Sequence, residues 1–333
     1  MLIISKSPVR ISYAGGGSDY YPFFQEYGGC VVNATIDKYV YFFSLPQWPL
    51  AEDRFRFTYR KTESVSNFKL LEHPVLRQLL KNLDWTMPLN MATMADVPGE
   101  SGLGSSSAFT AAAIQNLNFR LGISVNGAEL AGKAIELERE QLREPGGWQD
   151  QIATTHGGFQ SYRLNKNGFE SHNLNLSSEV KAFLKARQIL VATEFKRKNA
   201  SAAQTIQDTA NNILFSTFKE SANIARKLED SLKASSNSEF AYSSIVSAVI
   251  DYWEIKKTLP MDPDFHNILN TKSRLLRDIG VDGFKLLGSG NGGYILVLAS
   301  PKQIDEVENV FGKEKCIRFS YSDSGTNTEG LDF

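Results

Sequence analysis

The segment Pro98-Gly99-Glu100-Ser101-Gly102-Leu103-Gly104-Ser105-Ser106-Ser107-Ala108 decides the reading of this chain. It follows a β-rich run, Leu89 to Ala95, and opens an Ala-rich run from Ser106 to about Leu121 with helical composition. Three glycines and four serines at a strand-to-helix turn can direct backbone N–H groups and hydroxyls toward an anion at the positive end of a helix dipole. Phosphate is the natural ligand for such a turn. A helix start needs one capping side chain, and a single serine would supply it, so the surplus argues for phosphate binding. No Gly-Lys-Ser or Gly-Lys-Thr follows, which argues against a Walker-type loop.

Two further glycine-rich stretches flank this one. Ser7-Pro8-Val9-Arg10-Ile11-Ser12-Tyr13-Ala14-Gly15-Gly16-Gly17-Ser18-Asp19-Tyr20 reads as a strand that delivers one cation, then a turn ending in a carboxylate able to accept hydrogen bonds from hydroxyls. By itself such a run often marks only a turn. Lys285-Leu286-Leu287-Gly288-Ser289-Gly290-Asn291-Gly292-Gly293-Tyr294 joins two predicted strands with more glycine than a hairpin needs, which suggests a surface shaped around something bound.

The rest of the chain sets the frame. At 333 residues it exceeds what one core usually serves, and 42% hydrophobic with 22% charged residues predicts packed globular structure. Strands are expected at Val9 to Ala14, Cys30 to Asn33, Tyr39 to Leu45, Phe55 to Tyr59, Gly158 to Leu164 and Gln188 to Thr193. Helices are expected at Pro74 to Leu83, Ala128 to about Glu140, and through most of 201–279, before a β, α, β tail. Element order puts one unit at 1–180 and a second, with a helical subdomain, at 181–333. Lys plus Arg number 36 against 37 Asp plus Glu, a net charge of -1 that argues against a nucleic-acid partner. Cys30 and Cys316 have no Cys or His at metal-ligand spacing and read as reduced residues of a cytoplasmic protein. The N-terminal apolar run meets Pro8 early, and no run approaches about 20 apolar residues, so neither a signal peptide nor a membrane span is expected. A homodimer is an assembly the sequence permits.

In this order and placement, the three stretches resemble the three signature motifs of the GHMP superfamily, named for galactokinase, homoserine kinase, mevalonate kinase and phosphomevalonate kinase. The resemblance runs nearly end to end. It implies an α+β, two-domain GHMP kinase fold, with a ribosomal protein S5 domain 2-like N-terminal half and a ferredoxin-like β/α C-terminal half carrying a helical insertion. It implies ATP and Mg²⁺ as cofactors, with Pro98 to Ser107 holding the nucleotide's phosphates.

In such kinases a helix glutamate and a loop serine hold Mg²⁺, and an aspartate a fixed distance beyond lies against the acceptor hydroxyl. Glu138 and Asp150 are 12 residues apart (150 minus 138), similar to the galactokinase spacing. The resemblance thus assigns the metal to Glu138 and Ser106, the base to Asp150, and to Arg10 the steadying of developing charge. On residue pattern alone, Glu136, Glu138 and Glu140 would read as a solvated helix side.

Within the superfamily, the Ala14-Gly15-Gly16-Gly17-Ser18-Asp19 turn and Glu144-Pro145-Gly146-Gly147-Trp148-Gln149-Asp150-Gln151, followed by Gly157-Gly158, resemble the sugar-1-kinase branch that includes heptose 7-phosphate kinases. Trp148 stands where those typically have Lys and looks more like the L-fucokinase version; it either stacks on a sugar face or packs at a domain junction. The implied acceptor is the anomeric hydroxyl of a sugar or sugar phosphate, most closely D-glycero-D-manno-heptose 7-phosphate, with Gly17, Ser18, Asp19, Trp148, Gly288, Ser289 and Gly290 around it. Arg197, in Thr193-Glu194-Phe195-Lys196-Arg197-Lys198, is the candidate for gripping a distal phosphate, with Arg143 a second. The rivals are a decarboxylase of the same fold, a sugar sensor that keeps the nucleotide site, and an RNA-binding relative.

Overall fold

The computed structural model of the chain describes residues 1–48, 50–195, 212–235, 237–259, 261–288, 290 and 292–332. The architecture is the mixed α+β one expected. Strands β1 (Leu2–Ala14), β2 (Gly29–Pro46), β3 (Phe55–Thr58), β4 (Thr62–Val65) and β5 (Leu89–Ala95) build the first sheet, together with β6 (Phe159–Asn165) and β7 (Gly168–Asn173). Its spine is β2, a single 18-residue strand where two short ones were expected; its first half pairs with β6 and its second with β5.

Helix α1 (Tyr21–Tyr27) follows the first glycine turn, and α2 (Pro74–Asn82) buries Val75, Leu76, Leu79 and Leu80 behind a proline at its start. Helix α3 (Ser105–Arg120) lies on β1 and β2, and its run Ala111 to Ala113 is fully buried. Small side chains let it sit close to the sheet. Next come α4 (Gly127–Ile135), α5 (Gln149–His156) and α6 (Ser178–Lys185).

A second sheet, in the order β11, β8, β10, β9, joins β8 (Gln188–Ala192), β9 (Gly283–Leu286), β10 (Tyr294–Leu298) and β11 (Cys316–Ile317), all antiparallel. The helical stretch resolves into α7 (Asn212–Lys233), α8 (Ser238–Lys256) and α9 (Pro263–Ile279), and α10 (Pro301–Phe311) opens with a Ser300–Gln303 capping box. Trp253 of α8, Phe265, Leu269 and Leu276 of α9, and Ile304, Val307 and Phe311 of α10 share one core with this sheet. The last strand, β12 (Asn327–Leu331), joins the first sheet, pairing antiparallel with Leu2 to Lys6 of β1.

Cys30 and Cys316 are free thiols. Among the described residues no helix is long and apolar enough to cross a membrane.

Candidate active site

A cleft of about 380 Å³ collects residues from all three glycine-rich stretches. Strand β1 slips register between Pro8 and Arg10, and a bulge of this kind re-aims the next side chain. Arg10, only 3% exposed, points into the cleft, where its Nε (2.8 Å) and Nη2 (2.5 Å) both donate to Oδ1 of Asp150. Its Nη1 donates to the Gly102 carbonyl at 2.6 Å, and its backbone N–H to Leu103 at 2.9 Å, so one residue ties the first motif to the second. Asp150 lies in the first turn of α5, where the helix dipole favours a carboxylate. A Cβ placed on Gly104 would meet Asp150 Cγ at 3.3 Å and Arg10 Cγ at 3.4 Å, which measures how closely the ion pair sits against the loop.

The serines do not cap α3. Its N-cap is Gly104 in the left-handed region at φ 75°, with no side-chain cap, so the first-turn amides are left for another acceptor. Ser105, Ser106 and Ser107 all line the cleft. Helix α4 runs into a π-turn, Glu136–Gln141, in which Leu142 N–H reaches the Leu137 carbonyl five residues back. The turn brings Glu138 inward to 1% exposure, out of the solvated helix side that residue pattern alone suggested. Its Oε2 accepts from Ser107 Oγ at 2.9 Å and from Gln151 Nε2, with Arg139 Nη2 at 3.5 Å. Its Oε1 is buried with no partner. A buried carboxylate oxygen held in reserve beside a phosphate-type loop fits a hard cation.

The first glycine turn forms the opposite wall. Asp19 is 1% exposed and accepts from Gly17 N–H (2.9 Å) and Gln149 N–H (3.1 Å). Burial raises its pKa above the usual carboxylate value, against those hydrogen bonds and with help from Asp150. Gly16 and Gly17 are needed for close approach: a Cβ would meet Tyr252 Oη at 2.6 Å and the Phe218 ring at 2.4 Å respectively.

The third stretch packs on the second, backbone to backbone. A Cβ on Gly288 would meet Gly102 Cα at 2.6 Å, and one on Gly293 would meet the Ser101 carbonyl at 2.3 Å. Much of the glycine surplus therefore serves contact between loops. Behind it stand two buried lysines. Lys256, at the end of α8, donates to the carbonyls of Leu286 (2.9 Å) and Gly288. Burial, with Arg10 adding to it, lowers its pKa to about 7. Lys285 donates to Ser12 (2.7 Å) and Tyr13 (3.0 Å) carbonyls, lies 4.0 Å from the Tyr252 ring centroid, and is likewise driven down by burial, Lys256 and Arg10.

Gly17, Asp19, Glu100, Gly102, Gly104 and Gly288 line the cleft. Ser18 is a correction: fully buried, its hydroxyl bonds to the Gly15 and Cys30 carbonyls and holds the turn closed instead of facing the cleft. Trp148 does not line this cleft; it packs on Phe24 with ring centroids 4.7 Å apart and lines an adjoining cavity. Pro98 and Gly99 stay at the exposed outer edge, Ser101 and Leu103 are buried beneath the loop, and Gly290 is buried at φ 109° away from the lining. Arg197 and Ser289 lie outside the described residues.

Sequence reasoning missed Lys256, Tyr252, Phe218 and Arg139, all of which line the cleft. Lys256-Lys257 at a helix end looks like a solvated terminus, and the aromatics look like ordinary core.

Residues 70–158 match the family described as the GHMP kinases N terminal domain. The chain is 26% identical to the D-glycero-alpha-D-manno-heptose 7-phosphate kinase of Campylobacter jejuni, over 94% of each chain. It is 27% identical to the bifunctional fucokinase/GDP-fucose pyrophosphorylase of Arabidopsis thaliana, over 88% of this chain and 29% of that protein. The crystal structure of a D-glycero-D-manno-heptose 1-phosphate kinase from Bacteroides thetaiotaomicron superposes with a TM-score of 0.78 at 21% identity, covering 99% of this chain and 100% of that one. Residues 70–158 thus carry a GHMP kinases N terminal domain around the phosphate-type loop, the fold is shared with the heptose kinase structure along the chain's length, and the protein is an ATP-dependent kinase.

Proposed function

We propose that the chain transfers the terminal phosphoryl group of ATP to the anomeric hydroxyl of a sugar or sugar phosphate, with D-glycero-D-manno-heptose 7-phosphate as acceptor and the 1,7-bisphosphate as product. The observation that carries the reading is the Arg10–Asp150 pair set against Gly104, beside the uncapped first turn of α3. The heptose kinase relative, alike over 94% of each chain, supports the acceptor. Trp148-Gln149-Asp150-Gln151 and the fucokinase relative favour a second reading, an L-fucose or other hexose 1-kinase.

Bound Mg·ATP would supply the transferable group and the cation that offsets its charge. The amides of Ser105, Ser106 and Ser107 would hold the phosphates, and Glu138 Oε1 with Ser106 would hold the cation. Arg10 engages only Oδ1 of Asp150, leaving Oδ2 to accept the acceptor's hydroxyl proton. The Arg10 guanidinium steadies negative charge as the oxygen attacks, and Asp19 braces the Gly146 to Gln149 loop that frames the sugar. The proposed division of labour gives residues 1–180 the nucleotide and metal and residues 181–333 the lid of helices behind the acceptor.

Asp150→Asn tests this directly. Turnover should fall by roughly 10²- to 10⁴-fold, the span attributed to a positioned base, while calorimetric ATP binding survives. Unimpaired turnover would remove Asp150 from the chemistry.

A further inference from the structure

A second cavity, of about 650 Å³, adjoins the cleft. Tyr20, Arg139, Glu144, Gly146 and Phe218 line both hollows, so a ligand seated in one can extend into the other. One wall of the second is aromatic, built from Tyr21, Phe23, Trp148 and Phe215. Tyr21 and Trp148 lie with ring centroids 5.9 Å apart and tilted by 37°, leaving an apolar face of the kind that receives carbon-bound hydrogens of a sugar chain.

The cavity's two arginines differ. Arg139 is committed, donating from Nε to the Gly147 carbonyl (3.1 Å) and from Nη1 to the Glu144 carbonyl (3.3 Å), with Nη2 against Glu138. Arg143 is exposed, and among the described residues its guanidinium makes no hydrogen bond or ion pair. Its backbone is held at φ 54°, in the left-handed region that non-glycine residues seldom occupy and that concentrates at ligand sites. The carboxylates in the same lining, Glu140 and Glu144, suit hydroxyls, which leaves Arg143 to meet an anion.

We propose that the second cavity receives the far end of the acceptor, that this end carries a phosphate gripped by the Arg143 guanidinium, and that the carbons between lie along Trp148 and Tyr21. The proposal rests on reading the cleft as the transfer site, and it selects phosphorylated over plain sugars as substrates of that site. It also gives Trp148 a place at the acceptor, though outside the cleft where the chemistry occurs.

The test uses pairs of seven- and six-carbon aldoses, with and without a phosphate on the terminal carbon, as acceptors for the full chain with Mg·ATP. The wild type should prefer the phosphorylated member in kcat/KM. Arg143→Gln should cut that preference about 10- to 100-fold, mainly through KM, as expected for loss of a bidentate charge-assisted contact. Arg143→Lys should keep part of the preference, since it retains the charge but not the fork. A preference unmoved in Arg143→Gln, or a wild type indifferent to the terminal phosphate, overturns the proposal and leaves the kinase reading standing. A wild type that phosphorylates no sugar overturns both.

Discussion

The two sides of the cleft are made of different material. The phosphate-loop side is backbone: Gly102, Gly104, Gly288 and Gly293 bring two loops together at distances where a Cβ would strike main-chain atoms or the Arg10–Asp150 pair. On the side proposed for the acceptor, side chains form the wall, with Phe218 stacked on Tyr20 at 5.7 Å and Tyr252 Oη donating to the Gly16 carbonyl at 3.1 Å. Backbone geometry is indifferent to side-chain drift, so it can serve a ligand common to a whole family. A wall of aromatics and arginines changes with each substitution, so it can serve a ligand that differs between members.

Gly293→Ala probes the first half of that contrast. Its φ of 95° and the Ser101 carbonyl 2.3 Å from the added carbon force the loops apart. At about 1–3 kcal/mol for such strain, KM for ATP should rise roughly 10- to 100-fold while KM for the acceptor stays near its original value. Equal rises in both would erase the distinction. Phe218→Leu probes the second half. Losing an aromatic pair worth about 0.5–1.5 kcal/mol should raise the acceptor's KM a few-fold and spare ATP; the opposite pattern would put Phe218 on the nucleotide side.

A different kind of effect is expected where the two sides meet, at Lys256. Its folded pKa of about 7 lies below the free value of 10.5, so between those limits the unfolded chain binds more protons. Stability should therefore rise as pH goes from about 7 toward 10.5. Charging Lys256 at lower pH works against the fold. Denaturant midpoints in Lys256→Met should lose that share of the slope; an identical slope would mean that Lys256 does not titrate there.

The cleft was legible in the sequence where chemistry demanded a rare composition. Glycine and serine crowd between a strand and an Ala-rich helix beyond what capping needs, and the 12-residue step from Glu138 to Asp150 joins two residues that line one cleft. What escaped notice depended on local geometry. The π-turn that swings Glu138 inward has no compositional mark, because one extra residue in a helical turn leaves the pattern of Glu136, Glu138 and Glu140 unchanged. Helix α5 was hidden behind a Pro-Gly-Gly loop, and β2 was read as two strands because Asp37 and Lys38 interrupt its apolar run where its register with β1 shifts. Ser18 was taken for a ligand because a serine that closes a turn and one that greets a sugar look alike in one dimension.

The return of β12 to β1 has a bearing on how the molecule comes into being. Residues 327–331 supply the partner of β1, so a chain still emerging from the ribosome exposes one edge of Leu2 to Lys6 until those residues have been made. The sheet that carries Arg10 is thus not sealed until β12 has been made. Nascent chains that stall before that strand present an open edge to their neighbours.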